Sequence, residues 1–146
     1  GIVIPWIIGG DLWGVNIRRP IGEPKYYWVP GGVRGLYGAD DVAVRPAVLT
    51  EGEIDALTIT QEAGDLVAAV ATGSTAGARR ARWIARLATP DRVLVAYDTD
   101  EAGDKSAAYW ISALPNARRW RPYWKDANTM LQDGANVRAW VAAGLA

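Results

Sequence analysis

The amino-acid sequence predicts an α/β fold in which a parallel sheet is flanked by helices and preceded by a small antiparallel β-rich segment. From Pro46 onward, short apolar runs alternate with longer segments of helical character, a pattern that implies a parallel sheet. Residues 1–45 differ, because they are rich in Gly, Pro and aromatic side chains and contain only short alternating runs. We therefore divide the chain into a β-rich basic segment at residues 1–45 and an α/β domain at residues 46–146.

The first segment predicts short antiparallel strands separated by turns. The turns are expected near residues 9–11, 20–22 and 30–32, where Gly and Pro cluster. Between the first two turns, residues 12–18 alternate between core-type and solvent-type side chains, as half-buried strands do. Bases gather in this segment at Arg18, Arg19, Lys25 and Arg34.

The remainder predicts four strands and five helices. The expected strands are residues 47–50, 66–71, 92–97 and 117–123. The expected helices are residues 53–63, 76–88, 101–114, 126–133 and 137–143. Their ends are marked by Gly64, Pro90, Pro115 and Gly134, since Gly closes helices and Pro interrupts them. Right-handed crossovers would then place the carboxyl ends of all four strands at one edge of the sheet.

The composition limits the available chemistry. The chain of 146 residues has no Cys and no His, which excludes disulfides, Cys-ligated zinc, thiol nucleophiles and His-based acid–base catalysis. Carboxylates with a hard metal ion remain the main route to catalysis. The formal net charge is zero, but acids gather at the predicted strand ends, so an acidic site can lie beside basic flanks. No membrane span and no signal-peptide pattern is recognisable, so we expect a cytoplasmic protein without a membrane partner.

The most informative stretch is the apolar run of residues 93–97, which ends in Asp98 and Asp100. Residues i and i+2 of an extended chain point to the same side, so the two carboxylates can face one cation. A helix N-cap is the alternative, since Asp is a preferred capping residue. An EF-hand loop beginning at Asp98 is excluded, because Ala102 and Tyr109 stand where an oxygen ligand and a Glu are needed.

A second acidic motif follows the first predicted strand of the α/β domain. Gly52 allows a tight turn from strand to helix, and Glu51 before it can bind a metal or act as a base. Because ligands bind at the carboxyl ends of strands in open α/β sheets, we favour a functional role for Glu51. Asp55 lies one helical turn away and can face the same site, whereas Glu53 is better explained as an acid that favours the helix dipole.

Two further loops fall at the same predicted edge. Residues 72–74 (TGS) open a helix, where backbone N–H groups can bind phosphate, although an ordinary turn with a Ser or Thr cap fits equally well. Lys125 and Asp126 open the fourth helix, and a cap is again the alternative. Arg18 and Lys25 are either surface charges or contacts for phosphate groups.

Taken together, four motifs resemble a Toprim domain. They are residues 51–57 (EGEIDAL), 71–74 (ATGS), 97–103 (YDTDEAG) and 125–128 (KDAN). The similarity covers residues 46–135 and is strongest to the primase part of bacteriophage primase-helicases and to bacterial primases. Residues 24–27 (PKYY) and 35–38 (GLYG) resemble the end of the basic lobe that precedes Toprim in those primases.

The resemblance implies a role for each matching residue. Glu51, Asp98 and Asp100 would be catalytic and would bind Mg²⁺ or Mn²⁺, with Asp55 and Asp126 completing the metal site. Contacts to nucleotide or nucleic acid would come from Arg18, Lys25, Gly73, Ser74, Lys105, Lys125 and Asn128. The chain departs from the family pattern after residues 101–103, where the usual Arg is replaced by Asp104 and Lys105 comes next.

The implied function is that of a primase, a DNA-directed RNA polymerase that makes RNA primers from nucleoside triphosphates on single-stranded DNA in phage or mobile-element replication. A replicative helicase domain or protein is the implied partner. Two alternatives stay open, namely a Toprim nuclease or topoisomerase-type domain and a non-catalytic DNA-binding module. Intact Glu51, Asp98 and Asp100 argue against a degenerate module, and the basic-lobe resemblance argues against a nuclease.

Overall fold

A computed structural model describes residues 1–43 and 45–146 and contains, in those ranges, seven strands and five α-helices. The strands are β1 (Ile2–Ile8), β2 (Asp11–Arg18), β3 (Tyr26–Trp28), β4 (Ala47–Thr50), β5 (Ala68–Ala71), β6 (Val93–Val95) and β7 (Ala117–Arg119). The helices are α1 (Glu53–Ala63), α2 (Ala81–Leu87), α3 (Glu101–Ala113), α4 (Ala127–Gln132) and α5 (Val137–Leu145). Strands β1-β2-β3 form one sheet and β5-β4-β6-β7 the other, which confirms the predicted fold class.

The first sheet is antiparallel and begins with a tight hairpin. Gly9 and Gly10 form its turn with φ values of 64° and 84°, a left-handed conformation that two-residue hairpin turns require and that Gly adopts without strain. Alternate residues of β1 are buried, namely Ile4, Trp6 and Ile8. The period of two that predicted these strands therefore corresponds to one face turned towards the core.

The second sheet is parallel and is covered by helices on both faces. Leu49 and Val95 point into one core with α2 and α3, and their neighbours Val48 and Leu94 point into the other with α1, α4 and α5. Burying both faces explains why these strands are almost wholly apolar. Each fully buried aliphatic side chain contributes roughly 1.5–3 kcal/mol to folding.

The antiparallel segment packs on the edge of the parallel sheet. The N–H of Tyr37 donates to the carbonyl of Ala71 at 2.9 Å, and the N–H of Ala71 donates back at 3.1 Å. Ile8 and Leu36 also share one core with Leu49. These contacts bring the first sheet next to the end of β5, where the parallel strands present their carboxyl termini.

Some boundaries differ from the sequence prediction. Helix α2 begins at Ala81 rather than at residue 76, because Ala78 has a φ of 60° and Arg80 is extended. Strand β5 begins at Ala68, two residues late, since the N–H groups of residues 66 and 67 still bond to the carbonyl of Ala63. None of the helices in the described ranges combines the length and apolar character that crossing a bilayer demands.

Candidate metal centre

Three aspartates from three different elements meet at the carboxyl edge of the parallel sheet. One carboxylate oxygen each from Asp55, Asp98 and Asp126 lies within 4.8 Å of the other two, and all three side chains are partly buried. Asp55 comes from the first turn of α1, Asp98 follows β6, and Asp126 precedes α4. Hard oxygen ligands at this spacing are what Mg²⁺, Mn²⁺ or Ca²⁺ binds in proteins.

Hydrogen bonds hold the three aspartates in place. Asp55 accepts from the backbone N–H of Asn128 at 2.9 Å, and Asp126 caps α4 by accepting from Thr129 at 2.7 Å. The backbone N–H of Thr99, next to Asp98, donates to the carbonyl of Lys125 at 3.0 Å. Because each bond uses one oxygen or the backbone alone, oxygens of the cluster stay available for a cation.

Glu51 and Asp100 flank this cluster in different ways. Glu51 follows β4 directly and is partly buried, and its carbonyl accepts from Gly73 at 2.8 Å. Asp100 is exposed and caps α3, because its Oδ1 accepts from the N–H of Gly103 at 2.7 Å. The helix cap that the sequence offered as an alternative is thus present at Asp100, and its second oxygen is not used by that bond.

Crowding of the carboxylates changes their proton affinity. Burial raises the pKa of Asp55 from its usual 3.8 to about 7, with the charges of Asp126 and Asp98 acting in the same direction. Burial also raises the pKa of Glu51 and of Asp98, and neighbouring carboxylates add to the effect. A divalent cation would relieve this repulsion, since opposite charge favours the ionised form.

The loop after β5 is held by a chain of hydrogen bonds. Gly73 has a φ of 74°, and the Thr72 hydroxyl donates to the carbonyl of Ser74 at 2.8 Å. The Thr72 oxygen also lies 2.9 Å from the Tyr97 hydroxyl, to which the indole of Trp110 donates at 2.9 Å. The Gly-Ser loop is therefore anchored to the core beneath the acidic edge.

The predicted basic contacts lie in three different places. Lys125 is 67% exposed and its Nζ lies 4.0 Å from Asp126, so it borders the cluster. Arg18 ends β2 and Lys25 directly precedes β3, both near Tyr26. Burial raises the pKa of Tyr26, and the charges of Arg18, Glu53 and Asp55 all act on it. Lys105 instead pairs with exposed Glu101 on the surface of α3 at 2.8 Å.

Comparison with known families identifies this architecture. The sequence model described as Toprim-like matches residues 48–131, more than half of the chain. The chain belongs to the Toprim-like family. No curated protein sequence matches the Toprim-like chain.

Solved structures resemble the whole of this chain, both the Toprim-like domain and the antiparallel segment before it. The primase fragment of the bacteriophage T7 primase-helicase protein is 19% identical with a TM-score of 0.74, over 99% of this chain and 62% of that one. A DNA primase domain from Pseudomonas aeruginosa is 23% identical with a TM-score of 0.74, over 96% and 50%. A DnaG primase catalytic domain bound to single-stranded DNA is 23% identical with a TM-score of 0.68, over 98% and 56%. The chain thus has the fold of primase cores and spans at most about three-fifths of these structures.

The sequence interpretation missed a buried role for Glu53 of the Toprim-like domain. Its side chain is only 2% exposed, and its Oε1 accepts from the Trp6 indole at 2.9 Å and from Asn16 Nδ2 at 2.8 Å. The helix dipole is therefore not its main environment. Because Trp6 and Asn16 belong to the first sheet, Glu53 joins that sheet to the segment that carries Glu51 and Asp55.

Arg119 is a second residue that sequence reasoning missed. Its guanidinium donates to the carbonyls of Val95, Tyr97 and Asp98 at 2.9–3.1 Å and to Asp104 at 3.0 Å. Two of these carbonyls lie beyond the last paired residue of β6, where backbone groups would otherwise lack a partner from the sheet. Arg119 thereby fixes the backbone that presents Asp98.

Proposed function

We propose that this chain is the catalytic module of a primase and joins nucleotides on a single-stranded DNA template. The observation that supports this most is the pairing of the acidic edge with the antiparallel segment. The likeness to primase cores covers 96–99% of the chain, although the family match covers only residues 48–131. A Toprim nuclease or topoisomerase would explain the acidic edge but not this additional sheet.

The acidic edge fits a divalent cation. Asp55, Asp98 and Asp126 lie close enough to share one ion, and Glu51 and Asp100 would complete the set. Carboxylates alone, with no His or Cys in the sequence, favour Mg²⁺ or Mn²⁺ over zinc or copper. When bound, such an ion would neutralise triphosphate charge and favour ionisation of the attacking hydroxyl.

The remaining residues would bind and orient the substrates. In the proposed reaction the primer 3′-oxygen bonds to the α-phosphorus of a nucleoside triphosphate, and pyrophosphate leaves. Lys125 at the edge of the cluster would attract phosphate, and the N–H group of Ser74 would donate to it. The N–H of Gly73 already donates to the Glu51 carbonyl, so Gly73 would contribute by letting the phosphate approach the backbone closely. Arg18 and Lys25 would contact the template or triphosphate from the antiparallel segment. Asn128 would support the site through its N–H bond to Asp55.

The partners follow from the same comparison. One similar structure is a primase catalytic domain bound to single-stranded DNA, and another comes from a primase-helicase protein. We therefore infer single-stranded DNA as template and a replicative helicase domain or protein as functional partner. Lys105 has a weaker case, because it pairs with Glu101 away from the cluster.

The decisive experiment measures synthesis and cleavage in one assay. The purified chain is incubated with single-stranded DNA, labelled nucleoside triphosphates, and Mg²⁺ or Mn²⁺. We compare the unsubstituted chain with Asp98→Asn and with Asp91→Asn, a matched control in which an exposed acid before the same strand is changed. We expect template-dependent oligonucleotides that Asp98→Asn reduces at least about 100-fold and Asp91→Asn leaves unchanged.

Other outcomes point elsewhere. Shortened template without new oligonucleotides would favour the nuclease alternative. DNA binding without synthesis or cleavage, under both metals, would favour a non-catalytic module. Use of deoxynucleotides in parallel reactions identifies the preferred sugar.

A further inference from the structure

Two exposed aromatic side chains stand directly beside the acidic cluster. Tyr123 is 63% exposed and Trp124 is 45% exposed, and both lie between β7 and α4 immediately before Lys125 and Asp126. Their ring centroids are 6.0 Å apart at an interplanar angle of 75°. The edge of one ring therefore meets the face of the other, and both rings leave apolar surface open to solvent.

The backbone under these rings is fixed to the loop that carries Asp98. The Thr99 hydroxyl donates to the carbonyl of Trp124 at 2.7 Å, and the Thr99 N–H donates to the carbonyl of Lys125 at 3.0 Å. Thr99 stands between Asp98 and Asp100 in the sequence. Any ligand on Trp124 would consequently be held at a constant position relative to the carboxylates.

Several other exposed or half-exposed aromatic rings differ from these two, because a cation covers them. Guanidinium groups lie over Tyr27, Trp28 and Tyr109 at 4.2–5.3 Å. Within the described residues, neither Tyr123 nor Trp124 has a Lys or Arg placed over its ring. Their faces are thus available to a flat ligand.

The surroundings define the chemistry of that ligand. A base stacked on an aromatic side chain contributes roughly 1–3 kcal/mol to binding, largely without regard to sequence. Lys125 next to Trp124 is well exposed and can attract phosphate. The apolar ring of Trp124 is suited to a base, and the Lys125 ammonium next to it is suited to a phosphate. The carboxylate cluster beyond them is suited to the cation that a nucleotide's phosphates carry.

We propose that Trp124, supported by Tyr123, is a stacking platform for an unpaired nucleobase at the metal edge. The base belongs either to the template strand or to an incoming nucleoside triphosphate. The nature of the ligand rests on the proposed function, but its binding can be measured without any catalysis. The platform lies in the segment between β7 and α4 and is separate from the basic residues of the antiparallel sheet.

Binding assays test the platform directly. A fluorescent fifteen-residue oligothymidylate is titrated with the chain and followed by anisotropy, and ATP binding is followed by calorimetry. The variants are Trp124→Ala, Trp124→Phe and Tyr123→Ala. Ile111→Ala is the matched control, because Ile111 is also exposed but lies near the far end of α3. Circular dichroism checks that each variant is folded.

We expect Trp124→Ala to weaken binding of one ligand about 5- to 100-fold and Trp124→Phe to retain most of it. An abasic oligonucleotide of equal length, which keeps the phosphates, should bind the unsubstituted chain and Trp124→Ala equally. A loss confined to the oligonucleotide assigns the base to the template, and a loss confined to ATP assigns it to the incoming nucleotide. A loss for both assigns it to a shared platform.

The proposal is overturned if Trp124→Ala binds both ligands as the unsubstituted chain does, or if abasic binding falls equally. It is also overturned if the unsubstituted chain binds neither ligand. Failure of primer synthesis is a separate result. If the chain makes no primers but Trp124→Ala loses base-dependent binding, the proposed function fails and the platform proposal stands. If the chain makes primers and Trp124→Ala binds both ligands normally, only the platform proposal fails.

Discussion

The Arg119 guanidinium and the Asp104 carboxylate form an ion pair of 3.0 Å at the end of β7, and the same guanidinium donates to the carbonyl of Asp98. Asp104 therefore orients the group that holds the backbone of a candidate metal ligand. Asp104 is also the acid that replaces the Arg expected from the Toprim resemblance. The positive charge around Asp104 comes from Arg119 at the end of β7 and from Arg121 two residues later, which contacts Asp104 at 2.7 Å.

We predict that Arg119→Leu lowers the free energy of unfolding by roughly 2–4 kcal/mol, because it leaves the carbonyls of Tyr97 and Asp98 without the donor they have. Arg119 has a side chain that is 16% exposed, against 56% for Arg121. Arg121→Leu is thus the matched control and should cost less than about 1 kcal/mol. Urea denaturation measures stability, and Mn²⁺ binding by electron paramagnetic resonance should show weaker binding only in Arg119→Leu. Equal effects of the two substitutions would contradict the positioning role.

The Glu53 contacts predict a different pattern. Glu53→Ala leaves the Trp6 indole and the Asn16 amide without their acceptor, and each buried unpaired donor costs roughly 1–3 kcal/mol. Glu53→Gln keeps an oxygen in place and should retain most of the stability. Glu62→Ala, at a partly exposed position of the same helix, is the control. Thermal denaturation distinguishes the three, and a stable Glu53→Ala would show that these bonds contribute little.

The raised pKa of Asp55 predicts how stability varies with pH. Its folded-state pKa of about 7 lies above the usual 3.8, so the folded chain binds a proton that the unfolded chain releases. The stabilisation is complete below pH 3.8 and is lost as pH rises through about 7. Glu51 and Asp98 shift in the same direction. Asp65, with a pKa lowered from 3.8 to about 2, acts in the opposite sense, because its contribution to stability is lost only as pH falls from 3.8 through about 2.

With a chelator present to remove metal ions, we therefore expect the melting temperature to decrease as the pH is raised from 5 to 8. Asp55→Asn should flatten this profile, and Asp133→Asn, at an exposed position, should not. Because a cation competes with the proton, Mn²⁺ affinity should increase by about tenfold per pH unit below the Asp55 pKa. A metal-free protein that becomes more stable towards pH 8 would contradict the assignment.

Gly103 permits a close approach that a larger residue cannot make. A Cβ at this position would overlap the carbonyl oxygen of Asp98 and lie 3.2 Å from Oδ1 of Asp100. Gly103→Ala should cost roughly 1–3 kcal/mol through forced backbone movement and weaken Mn²⁺ binding. Ala102→Leu, which enlarges an exposed neighbour, should change stability by less than about 0.5 kcal/mol. Unchanged Mn²⁺ affinity in Gly103→Ala would show that Asp98 tolerates the shift.

Local patterns were sufficient to predict most of the fold. The alternation of strands and helices, together with right-handed crossovers, predicts that loops after β4, β5 and β6 converge at one edge, and Asp98 and Asp126 meet there. The helix caps at Asp100 and Asp126 also follow from residue type. These inferences depend on short-range geometry, which the sequence encodes directly.

Contacts between distant residues were not predictable in this way. Trp6 and Glu53 are 47 positions apart, and nothing in either local sequence specifies the packing of one sheet against the other. Arg119 lies in a predicted strand. The alternation of residues predicts which face of the sheet its side chain occupies, but not that it bonds to carbonyls on and after another strand. The late start of α2 depends on the backbone of Ala78, a non-Gly residue in a conformation that sequence patterns rarely indicate.

The bonds from Trp110 through Tyr97 and Thr72 to the carbonyl of Ser74 have only one possible direction. An indole can only donate and a carbonyl can only accept, so each hydroxyl hydrogen between them must point towards Ser74. The aligned dipoles polarise one another. Tyr97→Phe would therefore interrupt a chain of four groups and leave the indole of Trp110 without an acceptor. A fully buried side chain thus controls how rigidly the loop before α2 is held.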